Sequence, residues 1–286
     1  MPTIPPRNQY LTHTLAPDES RPPTYDPNLV RSLPAAVLAH TGAIHLVNLP
    51  DQGVCNLLLL LEAEQGTFVL KVARRGYRSQ ELWAEHTVME QLQATAVPVP
   101  RSLAFVEQGA LSLQLREFSP GRPLKEVMVT APTERSAAIR EMGRTLAAIH
   151  GVSLTGGWTW SEWAEASLAQ AERNLAAGLC TDPEEWSERA PREVLDWLHA
   201  HRPAGGEVCL LHGDYRPKNL LWHDGRIVSV IDWAFVDMGD PYYDLSIMRW
   251  YLGRQEWALF LDAYGMANWS QERFDWCMQL HKFLNV

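Results

Sequence analysis

The sequence predicts an α+β, bilobal protein: a small antiparallel-sheet lobe, then a larger and mainly helical one. Three observations carry this. Between Ala43 and Phe118 apolar residues alternate at strand period, with one stretch at helical period inserted. Beyond Gly121 the apolar spacing turns helical over most of the chain. Between those helices, the stretch from Leu211 to Leu245 gathers six aspartates, an asparagine and two histidines around two short apolar strands.

The bulk properties narrow the class. With 286 residues the chain has material for a buried core, and 46% hydrophobic with 21% charged residues is an ordinary globular composition. A formal net charge of -9 argues against nucleic acid as a partner, which would need a basic face to neutralise phosphates. Cys55, Cys180, Cys209 and Cys277 are scattered without a CxxC pair, as reduced thiols are rather than a disulfide frame or zinc site. No stretch reaches the roughly 20 apolar residues that cross a bilayer. The start, MPTIPPRNQY, lacks the apolar core of a signal peptide. The expectation is a cytoplasmic protein with no membrane partner.

Taken in order, residues 1–28 form a Pro-rich tail, with Pro2, Pro5, Pro6, Pro17, Pro22, Pro23 and Pro27 and few large apolar groups. Residues 29–118 form the first lobe. A short helix from Leu29 to Ala39 opens it. Strands follow around Ile44 to Leu49, at Leu57 to Leu61, and at Phe68 to Ala73, where Phe68, Leu70 and Val72 alternate with Val69, Lys71 and Ala73. Ser79 is placed to cap a helix with Leu82, His86, Met89 and Leu92 on one face. Strands at Ser102 to Val106 and Leu111 to Phe118 complete the sheet. Residues 119–286 form the second lobe. Thr133 is the expected cap of a helix carrying Ala138, Met142, Leu146 and Ile149. Further helices are expected over Trp163 to Leu179, Pro183 to His201, Tyr242 to Tyr251, Gln255 to Tyr264 and Gln271 to Leu284.

Asp224-Gly225 is a hairpin signal between Leu220-Leu221-Trp222 and Ile227 to Ile231. Such a hairpin brings Asn219, at the start of one strand, beside Asp232, past the end of the other. Two oxygen ligands suit Mg2+, which keeps several waters and takes few protein ligands. Asp214 lies five residues before Asn219, near the metal's substrate and not required as a ligand.

HGDYRPKN followed by IDWAFVDMGDPYYDL resembles the aminoglycoside phosphotransferase and choline kinase group, small-molecule relatives of the protein kinases with a protein-kinase-like fold. The likeness runs from about residue 40 onward. It implies that Asp214 is the catalytic base, that Asn219 and Asp232 hold Mg2+ on the nucleotide phosphates, and that Arg216 contacts the transferring phosphate. Asp244 would brace the catalytic loop, with His212 packed there too. In the first lobe it implies that Lys71 reaches the α- and β-phosphates and that Glu85 is its ion-pair partner. Gln52-Gly53-Val54-Cys55-Asn56 stands where the phosphate-covering loop belongs but has one glycine, so Asn56 is a candidate participant. Glu117 and Phe118 would be the hinge that meets the adenine edge.

The resemblance therefore implies ATP or GTP as co-substrate and a small-molecule hydroxyl acceptor. An aminoglycoside- or amine-like acceptor is favoured, because acidic residues such as Glu162, Glu165 and Glu172 precede the catalytic stretch. The plain alternative is that these are solvated helix faces. Trp158, Trp160 and Trp163 could wall a quaternary amine or sugar face. Choline, homoserine or a sugar derivative are alternative acceptors, and a non-catalytic nucleotide-binding relative is the alternative class. Intact Lys71, Asp214, Asn219 and Asp232 count against the last. A protein kinase proper is disfavoured because Gly239-Asp240-Pro241 follows Asp232 too soon for a long activation segment. Asp224, Asp237 and Asp240 read as turn residues.

Overall fold

The structure, a computed structural model, describes residues 21–52, 55–153, 158–182 and 186–284. Residues 1–20 of the Pro-rich tail, and Gly53 and Val54 of the candidate phosphate loop, lie outside the described residues. Two compact units emerge: one holds the described residues up to Gly121 plus Val228–Phe235, the other Arg122–Ile227 and the chain from Val236 on.

In the first unit, helices α1 (Pro27–Arg31) and α2 (Ala35–Thr41) precede strands β1 (Ile44–Asn48), β2 (Leu57–Ala63) and β3 (Gly66–Arg74). Helix α3 (Tyr77–Leu92) and strands β4 (Ser102–Gln108) and β5 (Leu111–Glu117) follow. The strands form one antiparallel sheet in the order β1-β2-β3-β5-β4. Side chains alternate between faces along a strand, so the period in the sequence becomes two chemically different surfaces. On one face Leu57, Leu59, Leu61, Phe68, Leu70, Val72, Leu113 and Leu115 join Leu33 and Val37 in the hydrophobic core. The other carries Lys71 opposite Leu58 and Gln114, and Val69 opposite Leu60 and Arg116. Helix α3 lies on this second face: Glu85 reaches Lys71, Met89 Sδ is 3.9 Å from Gln114, and the Ser79 hydroxyl is 2.6 Å from that of Ser112.

Ser79 is therefore inside α3, two residues past its first, and not its cap. The expected single helix at Leu29 is two, because Pro34 cannot continue a helix and instead stands before the next.

The second unit is mainly helical. Strand β6 (Arg122–Pro123) leads into α4 (Leu124–Thr130), α5 (Arg135–His150), α6 (Trp160–Ala176) and α7 (Pro191–Ala200). Then come β7 (Cys209–Leu211), a 3-10 turn (Pro217–Asn219), β8 (Leu220–His223), β9 (Arg226–Val230) and β10 (Asp237–Gly239). Helices α8 (Tyr242–Arg249), α9 (Arg254–Tyr264) and α10 (Gln271–Leu284) close it. β8 pairs with β6 and β9, and β7 with β10. Asp224 and Gly225 both take positive φ, 48° and 79°, the signature of the tight hairpin turn expected from their sequence.

Three helix starts differ from expectation. α5 begins at Arg135 after Glu134, with no side-chain cap, so Thr133 does not cap it. α6 begins three residues early because Thr159 and Glu162 form a capping box: Glu162 Oε2 accepts the Thr159 N–H at 2.8 Å, and Thr159 Oγ1 accepts the Glu162 N–H at 3.3 Å. α7 starts at Pro191, a residue suited to the first helical turn, which leaves Trp186 and Ala190 outside it. Where α5 crosses α9, a Cβ on Gly143 would lie 2.5 Å from the Phe260 carbonyl, so only glycine permits that approach.

Candidate active site

The segment after β7 carries Asp214 in the helical unit. Asp244, at the start of α8 and fully buried, accepts the N–H of His212 at 2.8 Å and of Gly213 at 2.9 Å. Its Oδ2 also lies 3.1 Å from His150 Nε2, and His150 Nδ1 is 2.7 Å from the Tyr264 hydroxyl. A buried carboxylate costs several kcal/mol unless its lone pairs are used, and these partners use them. The result is a rigid tie from α5, α8 and α9 to the backbone just before Asp214. His212, fully buried, accepts the Asp214 N–H on Nδ1 at 3.2 Å.

Asp214 is 2% exposed. Arg216 forms an ion pair with its Oδ1, and Asn219 donates Nδ2 to its Oδ2 at 2.9 Å and to its carbonyl at 2.8 Å. Lys218 Nζ is 3.8 Å from Oδ2. The turn Pro217–Asn219 brings Asn219 back over Asp214, which is why a five-residue separation suffices. Both basic residues of the loop thus face the carboxylate. Tyr215 points away, its hydroxyl on the Met142 carbonyl at 2.8 Å, and anchors the loop to α5.

In the sheet unit, Lys71 is buried between two carboxylates, with Nζ 2.6 Å from Glu85 Oε2 and 2.8 Å from Asp232 Oδ1. Burial alone depresses an amine's pKa, but Asp232 and Glu85 more than reverse this and hold Lys71 above its usual value, charged at neutral pH. The three groups carry one net negative charge. Glu85 is shut in, whereas the Asp232 side chain is 36% exposed and is the open member. Asp232 also adopts φ +67°, uncommon for a residue other than glycine. A residue held in the left-handed region costs of order 1–3 kcal/mol, and such strain concentrates at functional positions.

Gln52 ties the loop before β2, donating to the Pro50 and Leu58 carbonyls at 2.6 and 3.0 Å and accepting the Leu58 N–H at 2.9 Å. Asn56 follows with its Oδ1 buried and unmatched by a hydrogen-bond partner. Glu117 donates its N–H to the Arg101 carbonyl at 2.9 Å, and Phe118 its N–H to the Thr67 carbonyl at 3.1 Å. Neither N–H is therefore available to a nucleobase, and a hinge contact at these residues would use carbonyls or the next residue.

Several readings of the sequence are corrected. Trp160 and Trp163 are not a ligand wall: both are buried and pack with Trp276 at ring separations of 5.9 Å. Asp240 is a turn residue, its Oδ1 accepting the Tyr242 N–H at 2.9 Å and its carbonyl the Tyr243 N–H at 2.8 Å, but its carboxylate is also fully buried and held by Arg273 Nε at 2.8 Å and Trp160 Nε1 at 2.6 Å. Glu162 caps α6, while Glu165 pairs with Arg202 at 3.4 Å and Glu172 with His199 at 3.0 Å, all on exposed positions. That matches the solvated-face alternative. His150, Tyr264 and Arg273 were not singled out, since each acts through a partner more than 30 residues away.

Among the described residues no group of three or more His, Cys, Asp or Glu side chains is arranged to hold a metal ion. The carboxylate of Asp232 offers hard oxygens, which suit an ion that keeps most of its own waters and suit no softer metal. No helix among the described residues is long and apolar enough to cross a membrane.

His281, on α10, is buried and its Nε2 finds no hydrogen-bond partner. Burial pushes its pKa down to about 4; Arg216 acts in the same direction and Asp244 against it. The unfolded chain takes up that proton near pH 6.5. Stability from the neutral folded imidazole is thus complete above pH ~6.5 and declines as pH falls toward 4, by about 3 kcal/mol at most. Urea midpoints measured at pH 7 and 4.5 should separate more for the unmodified chain than for His281→Gln.

Residues 47–277 match the phosphotransferase enzyme family. The chain belongs to this family, that of the aminoglycoside phosphotransferases, and has its kinase-like α+β fold. It is 27% identical over 258 residues to the aminoglycoside 3'-phosphotransferase of Streptomyces fradiae, covering 84% of this chain and 94% of that one. It is 26% identical over 224 residues to acyl-CoA dehydrogenase family member 10 of Mus musculus, covering 74% of this chain. This chain spans only 21% of the length of that mouse protein. Its fold matches that of an aminoglycoside phosphotransferase, APH(3'')-Id of Streptomyces rimosus, solved with ADP and streptomycin: TM-score 0.67, 19% identity, 90% of this chain and 98% of that one.

Proposed function

We propose that the protein is a phosphotransferase that moves the γ-phosphate of a nucleoside triphosphate to a hydroxyl of a small molecule. The observation that carries this reading is Lys71, buried and charged, held by Glu85 and Asp232. An ammonium fixed in that way offers its remaining hydrogen-bonding capacity to phosphate oxygens, and the open Asp232 has net negative charge to share with a cation. Asp232 and the Asn219 amide oxygen would hold Mg2+, since Asn219 commits its nitrogen to Asp214. The ion's contribution would be to neutralise charge on the phosphates. Asp214 would accept or orient the acceptor hydroxyl's proton. Phosphoryl transfer has a loose transition state, so positioning and charge neutralisation supply most of the catalysis. Arg216 holds Asp214 in place, and in that position it would also meet the transferring phosphate. His212 and Asp244 support the loop, and the amide nitrogen of Asn56 would be a donor for phosphate.

For the acceptor, an amine-bearing or amino-sugar hydroxyl is supported by the Streptomyces relative rather than by an acidic surface, because Glu162, Glu165 and Glu172 are engaged elsewhere. The test is nucleotide consumption with Mg2+ over a panel of aminoglycosides, hydroxylated amines, homoserine and sugars. At least one acceptor should raise consumption above that of the Asp214→Asn variant. Equal rates for both proteins across the panel would refute the reading.

A further inference from the structure

On the face of the sheet that bears Lys71, helix α3 covers Lys71, Gln114 and Ser112 but not the whole surface. Leu58, Leu60 and Val69 are on the same face, by their pairing with Lys71 and Arg116, and each is only half-buried. They make a flat aliphatic platform beside the lysine. Arg116 stands at its edge, two residues along β5 from Gln114, the cross-strand partner of Lys71. That is about 7 Å along the strand and about 5 Å across it, a gap a ribose can bridge.

Arg116 is 7% exposed, yet its Nε and Nη1 are buried with no hydrogen-bond partner. A buried guanidinium without acceptors is costly, and most native ones are matched. Its electrostatic influence reaches Lys71, so it belongs to the same neighbourhood. Neighbouring Gln114 Oε1 is likewise unmatched, but Gln114 Nε2 is already tied to Ser102 at 3.2 Å. The flanking Leu60 and Val69 are aliphatic, as befits the face of a planar base rather than a phosphate.

Guanidinium nitrogens donate and never accept. The major-groove edge of guanine presents two acceptors, O6 and N7, to which the remaining amino group of the guanidinium can donate its two protons; the same edge of adenine sets an amino donor beside N7. Resting on the phosphotransferase reading above, we infer that Arg116 reads the nucleobase, and that the donor is a guanine nucleotide in preference to an adenine one.

The test is calorimetric binding of GDP, IDP and ADP, each with Mg2+, to the full chain. IDP keeps O6 and N7 and lacks the 2-amino group, so it isolates that edge. GDP and IDP should bind about tenfold to hundredfold more tightly than ADP. In Arg116→Met, if folded by circular dichroism, the gap should close through weaker GDP and IDP binding with ADP unharmed. The comparison in the unmodified chain needs no variant. Equal or tighter ADP binding there overturns the inference and leaves the phosphotransferase reading standing. So does Arg116→Met weakening all three alike, which would assign the guanidinium to phosphate. Binding of none of the three overturns both.

Discussion

Replacing Asp214 with asparagine lowers turnover by about 10²–10⁴-fold, the range of a lost general base, while nucleotide affinity stays as it was. The substitution is nearly isosteric. The Asn219 bond to the residue-214 carbonyl does not involve the side chain, and the tie from Asp244 to His212 and Gly213 is untouched. The loop therefore keeps its shape and only the proton-accepting oxygen is lost. Arg216 loses its ion-pair partner, so a modest rise in the acceptor KM accompanies the fall in kcat. The measurement is a kcat and KM pair on the acceptor found in the panel, beside nucleotide binding by calorimetry. Unchanged kcat would remove Asp214 from the chemistry.

Replacing Lys71 with methionine has a large effect of another kind. It costs about 3–5 kcal/mol of folding stability, because Glu85 is left as a buried carboxylate without its cation. Glu85 has no exposure, and its Oε1 already lacks a partner, so solvent cannot compensate. Asp232 is partly exposed and is rehydrated at little cost. The double substitution Lys71→Met with Glu85→Leu should recover most of the loss, since two apolar side chains replace a buried pair without leaving a charge. Urea unfolding of the two variants decides this: if the single variant loses less than the double, Glu85 is not held by Lys71. Both variants should lose nucleotide binding.

The elements legible in the sequence are those whose signal is local. The alternation over Phe68–Ala73 encodes both faces of β3, and the Asp224-Gly225 pair encodes its turn through the only backbone region that suits it. The spacing over Gln271 to Leu284 yields the helix observed. Boundaries were less legible where caps compete. Thr133 and Thr159 look equally suitable, but Glu three residues after Thr159 completes a reciprocal pair, and Thr133 has no counterpart at Ser136.

Side-chain roles divide in the same way. Asp214, Arg216 and Asn219 lie within six residues, and the loop's own turn brings them together, so their grouping could be read from spacing. Asp240 could not: a GDP turn is the same string whether its carboxylate faces water or an arginine on α10. Trp160 and Trp163 are aromatic in either environment, and only packing against Trp276 made them core. Arg116 reads as an ordinary half-exposed strand residue until the sheet buries it with nothing to bond.

The sequence by itself determined most of the longer strands and helices, the loop from Asp214 to Asn219 and the residue types available for phosphate chemistry, because these depend on neighbours a few positions apart. Tertiary structure alone decided who partners whom: Lys71 with Asp232 across 161 positions, Asp244 with His150 across 94, and which polar groups are sealed from water. Such pairings depend on burial, and burial belongs to the packed chain rather than to any stretch of it.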